Sequence, residues 1–174
     1  MSHLALTALF LALASTPFAA ALKFDVPAGW LAKPVSSSMR VADFALPKVA
    51  GDAEDATLTL YFFGGQGGSV QANLDRWIGQ MSQPDGRASK DVAKTTTLKT
   101  ASGLDVTVID LSGTYIAEVA PGSPERFNKP GFRLRAAVVT TPEGPYFVKL
   151  VGPAKTVAKW DESFGAFVKS LRVG

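Results

Sequence analysis

Residues Ala56 to Phe63 read ATLTLYFF, with Leu58, Leu60 and Phe62 alternating against Thr57, Thr59 and Tyr61. A period of two with unlike faces marks a sheet strand. It runs into GGQGG, Gly64 to Gly68, and then Ser69, a residue type that caps helix starts. Beyond it Val70, Leu74, Trp77, Ile78 and Met81 recur at steps of one helical turn, predicting an amphipathic helix that ends near Ser82.

Working outward, Leu22 to Val26 is short and extended until Pro27, and Val35 to Leu46 is strand-like until Pro47. Lys90 to Leu98, rich in Thr and Lys, reads as an edge strand. Leu104 to Ile116 is a long strand whose alternation slips at Val108-Ile109, which predicts a bulge. Ala117 to Gly131 is punctuated by Pro121, Gly122, Pro124 and Pro130 and is longer than most connections. Phe132 to Thr141 and Tyr146 to Val151 form a hairpin around Pro142-Glu143-Gly144-Pro145. Pro153 then opens a last helix, with Val157, Trp160, Phe164, Phe167, Val168 and Leu171 in phase. The class expected is α+β: a predominantly antiparallel sheet of about six strands packed with two amphipathic helices, each burying a Trp.

The N-terminus has a different character. Leu4 to Ala14, LALTALFLALA, is apolar but too short to span a bilayer, and Pro17 and Ala19-Ala20-Ala21 follow as a helix break and a small-residue cleavage site. Residues 1–21 therefore read as a signal peptide, residues 22–174 as a single domain, and the product as periplasmic or secreted. Hydrophobic residues at 47% and charged residues at 19% are a globular balance. The formal net charge of +3 lacks the clustering a nucleic-acid binder needs. With no Cys there is neither a disulfide nor a lipid-attachment site, so no membrane anchor is expected.

The sole histidine is His3, inside the segment expected to be removed. A trimmed chain without imidazole or thiol has no Ser-His-Asp or Cys-His nucleophile and no zinc or haem site built on those side chains. Carboxylate, Lys, Tyr and Ser chemistry remain.

Several motifs resemble a known group. FDVPAGW at Phe24 to Trp30, NLDRWIGQM at Asn73 to Met81, and PYFVKL at Pro145 to Leu150, followed by a helix closing on Phe167, Val168, Ser170 and Leu171, resemble the PsbP-like α/β/α sandwiches. Within that superfamily, Gly64 to Gly86 and GPYFVKLVGPAKTVAKW at Gly144 to Trp160 are similar to a set of small exported bacterial proteins of uncharacterised role. Members of the superfamily serve as extrinsic accessory proteins of photosynthetic complexes or as partners of small GTPases. The resemblance thus implies a fold and a binding role, and transfers no catalytic residue.

Candidate sites follow from residue chemistry. Gly64, Gly65, Gly67, Gly68 and Ser69 lie between strand and helix, where backbone amides can meet an anion. A dinucleotide fingerprint would need glycine where Val70 stands, and no Walker lysine follows, so a tight structural loop is the main expectation and an anion-binding loop the alternative. Asp52, Glu54 and Asp55 lack the spacing of a calcium loop. No carboxylate pair among Asp105, Asp110, Asp161 and Glu162 stands out. Arg133 and Arg135 share a strand face opposite Phe132, Leu134, Ala136 and Val138, with Arg126 and Lys129 in the loop before them; a solvated outer face is the main expectation and a small basic patch for a partner the alternative. Trp77 and Trp160 are in phase with helical apolar faces, whereas Trp30, after Pro27 and Gly29, is the one placed to line a cleft.

The reading is a non-enzymatic exported binding or accessory protein, contacting another exported protein through the long loop and the basic strand face, with no cofactor and no nucleic acid. The alternatives are a small-ligand carrier with a pocket between sheet and helix, and a hydrolase or lyase working through carboxylates or Lys.

Overall fold

A computed structural model describes residues 21–174. The expected signal segment lies, but for Ala21, outside the described residues. In chain order the strands are β1 (Leu22–Lys23), β2 (Leu31–Lys33), β3 (Arg40–Leu46), β4 (Ala56–Phe62), β5 (Met81–Ser82), β6 (Lys94–Lys99), β7 (Asp105–Tyr115), β8 (Lys129–Thr141), β9 (Gly144–Pro153) and β10 (Arg172–Val173). The helices are α1 (Val70–Ile78), α2 (Ser89–Val92), α3 (Ala154–Lys159) and α4 (Asp161–Ser170).

One sheet holds eight strands, in the order β2-β3-β4-β9-β8-β7-β5 with β6 also on β7, and its ladders are all antiparallel. β1 and β10 pair separately, antiparallel. The α+β class stands, while the sheet is larger than the six strands expected. The additions include β2 and β5, too short to leave a periodic signature.

Each face carries its own core. Phe164 and Phe167 of α4 pack on Phe44, Leu58, Leu60 and Val148. Leu74 and Trp77 of α1 pack on Ile109, Leu111, Leu134 and Phe147 of the other face. Covering both faces explains the apparent slip at Val108-Ile109. Both residues are buried, one in each core, and the pairing of β7 with β8 is unbroken from Val106 to Gly113. The irregularity falls instead between Gly113 and Tyr115.

Helix ends also differ from expectation. Ser69 caps α1 as read, its Oγ accepting from the Ala72 N–H at 3.1 Å, but the helix stops at Gly79 and Met81 pairs with Tyr115 in β5. The last helix is broken at Trp160, whose Nε1 donates to the Pro47 carbonyl at 3.0 Å. The hairpin turn is tight, since Thr141 already pairs with Gly144. The 117–131 segment is partly ordered by its own bridge between Glu118 and Arg126, and β8 begins within it. No helix among the described residues is long and apolar enough to cross a membrane.

Candidate functional site

The α1 face is covered only in part. Where α1 ends, the sheet floor continues across β9, β4 and β3 as a cavity of about 360 Å³, at the small end of the usual range for ligand pockets. Thr57, Thr59 and Tyr61 of β4 and Lys149 and Val151 of β9 form its floor, and Tyr115, Phe127 and Phe132 supply an aromatic wall. Register explains the grouping: Thr59 pairs with Lys149 and Thr57 with Val151, so these side chains rise from one face. The three wall rings stack nearly parallel, Tyr115 with Phe127 at 5.6 Å and with Phe132 at 6.2 Å between centroids.

Lys149 is the chemical centre of this floor. Its Nζ donates to Gln80 Oε1 at 2.5 Å and to the Tyr115 hydroxyl at 3.1 Å, and no described carboxylate forms a salt bridge with it. An ammonium has three donors, so one is left for the cavity. Burial pushes the Lys149 amine down to about 8, with the like charges of Arg76 and Arg40 acting in the same direction. Burial likewise pushes the Tyr115 phenol up to about 12, helped by Tyr61. At neutral pH the pair is therefore an ammonium beside a neutral phenol. Gln80 is held in place by backbone bonds at the end of α1, its N–H to Trp77 O and its carbonyl from the Ile116 N–H.

At the mouth, Arg40 spends Nη1 on both Asp43 oxygens at 3.0 Å each and lies over the Tyr61 ring. Lys129 pairs with both oxygens of Glu54 at 2.7 and 2.8 Å. Asp55 accepts from the Lys48 N–H.

Of the residues singled out from sequence, Lys129, Glu54 and Asp55 reach this cavity, all three at its mouth. Arg133 and Arg135 do lie opposite Leu134 and Ala136, but that face is not a free basic surface, because α4 packs over it. Arg133 donates to both Asp110 oxygens and to Asp161, Arg135 bonds Asp161, and its guanidinium sits 4.6 Å over the Phe164 ring. The Asp110 hydrogen bonds raise the Arg133 pKa further above its ordinary value, against the opposing effect of burial. Arg135 Nε is 3.4 Å from Asp110 Oδ2 yet makes no hydrogen bond, the one buried polar side-chain atom left unpaired among the described residues. Arg126 is exposed and lies 3.6 Å from Glu118. Trp30 does not line a cleft: it is 7% exposed, packed between Phe44 and Phe167, with Nε1 donating to Ser163 Oγ.

The acidic trio diverges: Asp52 accepts from the Thr156 amide and hydroxyl, Glu54 meets Lys129, and Asp55 meets Lys48. Among the described residues no cluster of His, Cys, Asp or Glu is arranged to hold a metal ion.

The glycine loop has its structural explanation. Gly64, Gly65 and Gly68 adopt positive φ, and Asn73 Nδ2 ties the loop to α1 through the Gly67 and Ser69 carbonyls. Gly67 is required for another reason, since a Cβ there would stand 2.4 Å from the buried Phe147 ring. Gly67→Ala should therefore destabilise the protein by about 1–3 kcal/mol in urea denaturation, as overpacking does. An unchanged midpoint would show that the ring yields.

Lys149 was the residue that sequence reasoning passed over, and its signal was present. In PYFVKLVG, alternation sets Lys149 on the face of Phe147 and Val151, a cation where a core residue belongs.

Fold and cavity together define an antiparallel α/β/α sandwich with one partly open face. The fold is shared with a solved bacterial structure. The crystal structure of PA94, a protein of unknown function from Pseudomonas aeruginosa, covers 83% of this chain and 97% of its own at 10% identity, with a TM-score of 0.51. The solution structure of the cyanobacterial PsbP, CyanoP, from Synechocystis sp. PCC 6803 is similar at 12% identity over 94% of this chain and 99% of its own, at a looser TM-score of 0.46. The PA94 likeness is one of fold. No protein-family model and no curated protein matches the chain.

Proposed function

We propose that this is an exported, non-enzymatic binding protein whose ligand is a small molecule held in the cavity between the open sheet face and the 117–131 segment. The observation that carries the reading is Lys149: a partly buried cation with only neutral partners, facing a cavity. Keeping such a charge costs stability, which a merely structural position would avoid with an apolar residue. The mutual distances favour binding over catalysis, because Lys149 and Tyr115 are already hydrogen-bonded to each other and Glu54 is engaged by Lys129.

The test is native mass spectrometry of protein recovered without denaturation from the envelope of an expressing bacterium. Wild type should carry a small adduct that is absent from Thr57→Trp, a variant that fills the cavity from an exposed floor position. A bare wild type, or an adduct retained by Thr57→Trp, would remove the cavity from the function. Recovery only from the cytosol would remove export.

A protein partner is the second reading, favoured by the exposed apolar Leu31, Val35, Met39 and Val41, all in β2, β3 or the turn between them. β2 is an edge strand, open to pairing on its outer side. Cross-links to a defined partner at this edge, lost in Leu31→Glu, would support it. The same cross-links persisting would not.

A further inference from the structure

We infer that the cavity selects a small aromatic monocarboxylate; this rests on the cavity being the binding site and names what enters it. Charge and shape both point there. At the floor, Lys149 has one N–H unspent after Gln80 and Tyr115. At the mouth, Arg40 uses only Nη1 on Asp43, leaving Nη2 and Nε as donors on the same side of the sheet. A carboxylate offers four lone-pair sites to such a pair of cations.

Beyond these two cations the lining spends its charge internally, Lys129 on both oxygens of Glu54. Tyr61, Tyr115, Phe127 and Phe132 supply ring area, three of them nearly parallel, with the Lys129 ammonium over the Phe127 and Phe132 rings, so a planar ring enters along that stack. The size fits a small ligand rather than a nucleotide or a peptide, at about 360 Å³. At the rim Lys129 is already matched by Glu54 and Asp55 is negative, so a second negative charge meets no free cation there, which disfavours phosphate and dicarboxylates. The neutral Tyr115 hydroxyl, already accepting from Lys149, still has its proton to donate to a carboxylate oxygen.

The test titrates the purified chain with benzoate, its neutral counterpart benzamide, and inorganic phosphate, followed by backbone amide NMR shifts at Thr57, Thr59 and Lys149. Benzoate should bind at least about tenfold tighter than benzamide at pH 7, as a buried charged hydrogen bond provides, with phosphate weaker still. That preference should fade between pH 8 and 10 as Lys149 loses its proton, and Lys149→Met should abolish it while leaving benzamide within a few fold. Arg40→Gln is a second variant, expected to weaken benzoate several fold and benzamide by less, since the amide carbonyl loses only a hydrogen bond and no charge pair.

Equal affinity for benzoate and benzamide would overturn the acid preference and leave the cavity reading standing. Tighter phosphate than benzoate would overturn the aromatic claim. Failure of every probe to move the floor amides would overturn the ligand class if the native adduct is present, and the cavity reading as well if it is absent.

Discussion

Trp30→Ala should lower the unfolding free energy by about 3–5 kcal/mol, the usual range for deleting a fully packed large aromatic. The indole stands 5.1 Å from the Phe167 ring and 5.6 Å from Phe44, and Phe24 packs on Phe167 from the same side. Its Nε1 is satisfied by Ser163, so truncation also leaves that hydroxyl short of a partner. Urea denaturation of Trp30→Ala and Trp30→Phe checks this. The phenylalanine variant keeps most of the buried area and should lose about 1–2 kcal/mol. A near-silent alanine variant would return Trp30 to the cleft-lining role its sequence context suggested.

Lys149→Met should act in the opposite direction, raising stability while removing ligand discrimination. A folded-state pKa of about 8 against the ordinary lysine value of 10.5 means that the unfolded chain holds the proton more tightly. The burial penalty on the charge is therefore fully present below pH 8 and is relieved as pH rises toward 10.5. Wild-type stability should climb across that window on account of this group, and the methionine variant should lack the climb. At pH 7 the gain from replacing the charge is about 1–3 kcal/mol, discounted for the partial exposure of the side chain. Thermal melts of both proteins from pH 6 to 11 give the answer. A destabilised methionine variant would mean that the Gln80 and Tyr115 hydrogen bonds outweigh the desolvation.

Strand and helix existence was legible wherever one period ran long enough. β4 alternates as its sequence says, and Ser69 caps α1 as its side chain allows. What was illegible depended on partners distant in sequence. Trp30 follows a turn and looks loop-like until Phe167 arrives from the far end of the chain. Arg133 and Arg135 look like a solvated face because nothing local announces that α4, beginning with Asp161, will lie across them. Short strands fail for another reason: Leu31 to Lys33 and Met81 to Ser82 are too short for a side-chain period to show, even though Met81 is buried in the core. The cavity is the extreme case, because its residues come from five separate strands and two connecting loops.

The large sheet consists of two meanders of sequence neighbours, β2-β3-β4 and β9-β8-β7, sewn along a single seam where Thr57 through Phe62 meet Val151 through Tyr146. The floor of the cavity straddles that seam, with the threonines on one lip and Lys149 on the other. A bound molecule therefore works as a clasp. Occupancy would thus resist opening of the ladder that joins the two meanders, adding to the packing of α3 and α4 across the other face.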